Sequence, residues 1–156
     1  MRELRGDLKR GTEGSPGRVI VVGLDGSRAS WDAFSWAVGE ATRTRGRLVV
    51  VNVTAPDVDL AAIVGLSVEP AIEEAMSEIA EELEGAARQR ADDVGVPLAF
   101  VRAFGSTARE LVRVAEVVRG DLIVIGRPAK PIHPLAGSVG RRLVARGDAP
   151  IVVVVP

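Results

Sequence analysis

Asp121-Leu-Ile-Val-Ile-Gly126-Arg-Pro-Ala-Lys-Pro-Ile-His-Pro-Leu-Ala-Gly137-Ser138-Val-Gly-Arg-Arg142 is the stretch whose reading decides the fold. Leu122 to Ile125 is a short apolar run without alternation, the pattern of a strand covered on both faces. It breaks at Gly126, passes Pro128, Pro131 and Pro134, and enters a helix at Gly137-Ser138. A strand, a glycine-punctuated loop and a helix N-terminus form the arrangement by which α/β proteins hold phosphate. Free amides and the positive end of the helix dipole converge there on one spot. Each of the three prolines, however, lacks the N–H that such a cradle uses. The stretch predicts an α/β fold and leaves its ligand open.

Working outward, the same strand pattern recurs. Arg18 to Leu24 and Arg47 to Val53 are β-branched runs joined by a helix over about Ser30 to Thr44. Phe34, Ala37, Val38 and Ala41 mark that helix's core stripe and Gly46 its stop. Two such strands joined by one helix make a βαβ unit, hence a parallel sheet with right-handed crossovers. Thr54 to Ser67 is a longer connection, of the length usually reserved for function or mobility. The longest helix follows over about Val68 to Val94, with Ile72, Met76, Ile79, Leu83 and Ala86 as its core stripe. Its glutamates, Glu73, Glu74, Glu78, Glu81 and Glu82, read as a solvated face rather than a metal site. Leu98 to Phe104 is a third strand. Ser106 caps the next helix, built on Ala108, Leu111, Val112 and Ala115 and closed by Gly120. The last strand, Ile151 to Val155, lies behind Pro150. Five strands and four helices alternate, so the expected class is α/β, a doubly wound parallel sheet with helices on both faces. Residues 1–17, rich in glycine and mixed charge, read as a disordered leader, and 18–156 as one domain.

Composition narrows the function classes. Twenty basic residues against 21 acidic ones give a net charge of −1, so no field steers the chain towards DNA or an anionic membrane. Aromatics are 3% with no tyrosine, which leaves no stacking platform for single-stranded nucleic acid. Cysteine is absent, excluding disulfides, thiolate metal sites and cysteine nucleophiles. With no signal-like apolar segment or membrane-length run, cytoplasm is the expected location. Neither a Walker-type phosphate loop nor a Gly-x-Gly-x2-Gly follows the first strand. His133, the only histidine, has no metal or triad partner near it in sequence and reads as a surface residue. Nothing points to a catalytic group or a metal, and the chain reads as a non-enzyme. Trp31 and Trp36 fall on different faces of the first helix, one packed and one partly exposed.

In a doubly wound sheet, ligands sit beyond the carboxyl ends of the strands where the direction of growth reverses. With strand order 3-2-1-4-5, that crevice lies between the first and fourth strands, and Asp25-Gly26-Ser27 should meet Gly126 and Gly137-Ser138 there. Asp25 has two readings. It accepts a hydrogen bond from a ribose hydroxyl or an adenine amino group, or it belongs to a turn in which Ser27 or Ser30 caps the helix.

Taken together, Val-Ile-Val-Val-Gly-Leu-Asp25-Gly26-Ser27, Val49-Val-Val-Asn-Val53, Gly120-Asp121-Leu-Ile-Val-Ile-Gly126 and Gly137-Ser138-Val139 resemble the universal stress protein family over nearly all of residues 18–156. The resemblance implies the 3-2-1-4-5 sheet of an adenine-nucleotide-α-hydrolase-like fold and homodimers paired through the last strand, Ile151 to Val155. It also implies a regulatory role in stress response. Members that bind ATP or a related adenine nucleotide carry Gly-x2-Gly-x9-Gly-Ser/Thr after the fourth strand; others bind none and act through protein contacts. Carried over by position, Asp25 meets the adenosine and backbone groups at Val53 the adenine. Gly126, Arg127, Gly137, Ser138 and Val139 surround the ribose and phosphates. Here Ala129 replaces the second glycine, and the span from it to Gly137 is two residues shorter. Alanine at a positive φ costs about 1 kcal/mol; the prolines and shorter loop remove donors and reach. The expectation is a site weakened, retuned to fewer phosphates, or lost.

Overall fold

The computed structural model describes residues 17–54, 70–127, 139, 142–143 and 150–156. Five strands are present: β1 (Val19–Gly23), β2 (Arg47–Thr54), β3 (Leu98–Phe104), β4 (Leu122–Gly126) and β5 (Ile151–Val155). Among the described residues three helices alternate with them: α1 (Arg28–Thr44), α2 (Pro70–Asp92) and α3 (Thr107–Val118). Val139, Arg142 and Leu143, between β4 and β5, are also helical. All strands are parallel in the order β3-β2-β1-β4-β5, as the sequence predicts.

The unalternating apolar strands are explained by two cores, one on each face of the sheet. Ile20, Val22, Leu48, Val50, Phe100, Leu122 and Val124 pack with α1 and α2. Val21, Val49, Val51, Val101, Ile123 and Ile125 pack with α3 and Leu143. Because side chains alternate along a strand, only a run apolar at every position can serve both layers.

Helix α1 buries Ala33, Phe34, Ala37 and Ala41. Trp31 packs edge-on to Phe34, with ring centroids 5.4 Å apart, and carries the Arg90 guanidinium 4.0 Å above its ring. Trp36 is 40% exposed. The two tryptophans thus part as their spacing predicts. Glu40, to which the sequence pattern assigns no role, is buried and paired on both oxygens. Arg18 Nη1 lies 3.2 Å from Oε1 and Arg43 Nη2 2.6 Å from Oε2.

Helix α2 corrects the expected stripe. Its buried face is Ala80, Leu83, Ala87 and Ala91, while Met76 and Ile79 are 38% and 57% exposed; the side chain of Ile72 lies outside the described residues. Alanines let the helix axis approach the sheet closely, and the larger residues are turned aside. A pattern weighted by hydrophobic size finds Leu83 but misses the buried alanines. Glu74, Glu78, Glu81 and Glu82 are exposed, as expected of a solvated face. Glu81 also approaches Arg102 of β3, at 3.8 Å, and Glu84 holds both Arg102 (3.2 Å) and Arg88 (2.8 Å).

The helix stops differ by one residue from expectation. Arg45 (φ 51°) and Arg119 (φ 53°) take the left-handed position, and Gly46 and Gly120 follow, their amides donating to Ala41 and Ala115 carbonyls. Ser106 occupies the N-cap of α3, yet its side chain makes no cap hydrogen bond. A non-glycine residue in left-handed conformation costs about 1 kcal/mol. Arg119→Gly is therefore expected to raise stability by about 0.5–1 kcal/mol, read as a thermal midpoint about 2–4 °C higher.

Candidate functional site

β1 and β4 are direct neighbours, with Ile20 opposite Leu122 and Val22 opposite Val124. The chain grows from β1 to β2 and β3 on one side, and through β4 and β5 on the other. The reversal point therefore falls at the carboxyl ends of β1 and β4, where an open α/β sheet leaves a crevice.

At the end of β1 the chain turns sharply into α1. Gly26 takes φ +86°, which glycine adopts without strain. The Ser27 amide donates to Asp25 Oδ1 at 2.9 Å, and the Ser27 hydroxyl accepts from the Ser30 amide at 3.2 Å. Ser30, buried at 5% exposure, is the hub. Its hydroxyl donates to the Ser27 carbonyl at 2.9 Å and accepts from the Asp25 amide at 3.3 Å. The turn-and-cap reading of Asp25-Gly26-Ser27 is thus present in the geometry, with Ser27 as cap. The carboxylate remains at the surface, with one oxygen committed to the turn. Partial burial raises the Asp25 pKa, but hydrogen bonds from the side chain and backbone of Ser27 and from the Ser30 hydroxyl outweigh it. The net shift is below the ordinary aspartate value. The group is an anionic acceptor at neutral pH, suited to a hydroxyl or amino donor.

Val53 lies near the end of β2, two residues past Val51, whose carbonyl accepts from the Leu24 amide at 3.0 Å. Its half-buried side chain joins the α3-side core. Asn52, beside it, donates from Nδ2 to the Leu24 carbonyl at 2.8 Å. The sequence pattern gives no role to Asn52 or to Ser30 as a hub. The available signal is one amide side chain interrupting an apolar strand at its carboxyl end.

Gly126 ends β4 against the first turn of α1. A Cβ there would collide with the Ala29 carbonyl. The Arg127 amide donates to the Val155 carbonyl at 2.8 Å, and its side chain is exposed. Val139 packs against the α3-side core. Gly137 and Ser138 lie outside the described residues, as do Pro128, Ala129, Lys130, Pro131, His133 and Pro134. The structure thus brings Asp25, Val53, Gly126 and Arg127 to one end of three adjacent strands. Among the described residues no group of three or more His, Asp or Glu side chains is placed to hold a metal.

Comparison with known proteins gives a consistent result. The sequence model of the Universal stress protein family matches residues 17–155. A universal stress protein of Methanocaldococcus jannaschii is 31% identical over 142 residues, covering 88% of this chain and 81% of that protein. The crystal structure of a universal stress protein family member from Burkholderia pseudomallei is 28% identical, with a TM-score of 0.63, covering 92% and 98% of the two chains. A universal stress protein in complex with cAMP is 24% identical, with a TM-score of 0.64, over 89% and 96%.

Proposed function

Because the chain belongs to the universal stress protein family, we propose that it is a regulatory, non-enzymatic module that binds an adenine nucleotide at the carboxyl ends of β1, β2 and β4. The observation that carries this reading is Asp25. Its carboxylate is held ionised by the turn at the reversal point and stays exposed there, within reach of a ligand donor. The donor set suits an adenosine: a carboxylate for a ribose hydroxyl, main-chain groups at Val53 for the base, and the Arg127 cation for phosphate. Gly137, Ser138 and Val139, placed there by the sequence motif, complete the reading on the phosphate side. A similar fold holds cAMP, which favours a ligand with few phosphates where the loop after β4 is short. The module is further proposed to act as a homodimer paired through Ile151 to Val155, with nucleotide binding biasing its contacts.

A second reading, a member that binds no nucleotide and works through protein contacts, draws on the same geometry. The Asp25 turn and the tightness at Gly126 each have a structural reason that requires no ligand.

Isothermal titration with ATP, ADP, AMP and cAMP separates the two. Saturable binding of at least one at or below millimolar concentration is expected. Asp25→Asn keeps an acceptor for the Ser27 amide but loses the charge, and should weaken that binding about 10–100-fold, the worth of a charge-assisted hydrogen bond. No heat and no thermal shift with any of the four establishes the second reading. Steady phosphate release from ATP that disappears in Asp25→Asn would instead assign hydrolysis.

A further inference from the structure

Asn52 sits where the parallel ladder between β1 and β2 ends. Gly23 is opposite Val51, so Leu24 falls opposite Asn52. The Leu24 amide duly donates to the Val51 carbonyl at 3.0 Å. A regular parallel ladder would give the Leu24 carbonyl the amide of Val53 as its donor. That carbonyl instead has the Asn52 side chain, Nδ2 to O at 2.8 Å. Leu24 is buried, at 1% exposure, so its carbonyl needs a donor from somewhere. The next residue is Asp25, whose own amide is fixed on the Ser30 hydroxyl.

We propose that Asn52 is the positioning residue of this site. By holding the Leu24 carbonyl with a side chain, it ends the β1–β2 ladder one rung early. That aims Asp25 into its turn with Ser27 and Ser30, and leaves the main chain at Val53 for the base. Without the amide, the Leu24 carbonyl would draw in Val53. β1 would then lengthen by a residue, and the Asp25 carboxylate would leave its donors. The effect on nucleotide binding rests on the reading above, whereas the effect on Asp25 does not.

The test therefore has two readouts on the full chain. The carboxyl-carbon resonance of Asp25 is titrated by NMR in wild type, Asn52→Leu, Asn52→Ala and Asn52→Gln. AMP affinity is measured by calorimetry on the same four proteins. Removing the donor in the leucine and alanine variants is expected to move the Asp25 midpoint upward towards the ordinary aspartate value. Glutamine, which retains an amide donor, should keep it below that value. AMP binding should weaken about tenfold without the donor and at most about threefold with glutamine. An Asp25 midpoint unchanged in the removal variants overturns the proposal. If the leucine variant does not fold, the alanine variant decides the same point. Absence of binding by wild type to AMP and to the other three nucleotides would remove the nucleotide reading, and the Asp25 midpoints would still decide whether Asn52 positions the turn.

Discussion

Gly126→Ala is expected to lower stability by roughly 3 kcal/mol, read as a thermal midpoint about 10 °C lower. The reason is local and specific. A methyl group at residue 126 would occupy the space of the Ala29 carbonyl, and the Ser30 amide is next to it. These are backbone atoms in the first turn of α1, so no rotamer change relieves the clash. Either α1 lifts away from β4, or the end of β4 bends out of register with Val155. Lifting α1 would loosen Phe34 and Ala33 from the sheet, and bending β4 would break the Arg127–Val155 hydrogen bond. Three kcal/mol is a large share of the stability of an ordinary domain. The control is Gly39→Ala, within α1, where an added methyl meets nothing within 4 Å. That substitution should raise stability by about 0.5–1 kcal/mol, from helix propensity alone. Chemical denaturation of both variants checks the contrast in sign, and a Gly126→Ala variant as stable as wild type would remove the packing argument.

The same residue shows how far the site is legible in the sequence. Gly126 attracts notice as the first glycine of a phosphate-binding pattern, and it does stand at the reversal point beside the Asp25 turn. Its contact with Ala29 supplies a reason for glycine that holds whether or not a nucleotide binds. Motif spacing registers that a position excludes side chains, but not whether a ligand or a helix does the excluding. Asp25 shows the same ambiguity, since the turn and an adenosine call for the same carboxylate.

Strand pattern and the alternation of strands with helices reveal the fold, because short unbroken apolar runs separated by helical spacing are what a parallel sheet covered on both faces requires. Helix faces are less legible. In α1 the predicted positions Phe34, Ala37 and Ala41 are buried, and in α3 Ala108, Leu111, Val112 and Ala115 are, while in α2 the sheet is met by Ala80, Ala87 and Ala91, and Met76 and Ile79 point elsewhere. Small residues carry little weight in a hydrophobic pattern, yet they set how close a helix comes. Asn52, Ser30 and Glu40 escape the pattern for a related reason. Each is a polar side chain whose partner lies across a strand or turn: the Leu24 carbonyl, the Asp25 amide, and Arg18. Helical spacing reveals i,i+3 and i,i+4 pairs, such as Glu40 with Arg43, but no partner brought close only by folding.

Replacing Ile151 and Val154 together by lysine is expected to convert a homodimer into a monomer. β5 pairs with β4 on one side and forms the edge of the sheet on the other. An unpaired apolar edge is a template for a second strand, and a twofold partner would cover it. Along it, Val153 and Val155 pack into the α1-side core and Val152 into the α3-side core. Ile151 and Val154 are 67% and 47% exposed, so they are the side chains a partner could bury at no expense to the monomer. Burying one such side chain contributes about 1.5 kcal/mol or more. A twofold interface contains each twice, so about 6 kcal/mol is at stake, roughly four decades in dissociation constant. Light scattering at micromolar concentration should give twice the 16.4 kDa chain mass for wild type and the single mass for the variant. Val152 and Val153 are half-buried against the two cores, where lysine would lower stability as well as affect pairing, which is why the substitutions are confined to the two exposed positions. A folded variant that stays dimeric would move the interface off this edge, and a monomeric wild type would remove it. β5 also accepts the Arg127 amide at Val155, so one main-chain rung links the interface to the proposed phosphate side. The monomeric variant should therefore be titrated with AMP as well: an affinity shifted from wild type would mark the two as coupled, and an equal affinity would make dimerisation and binding independent properties of the fold.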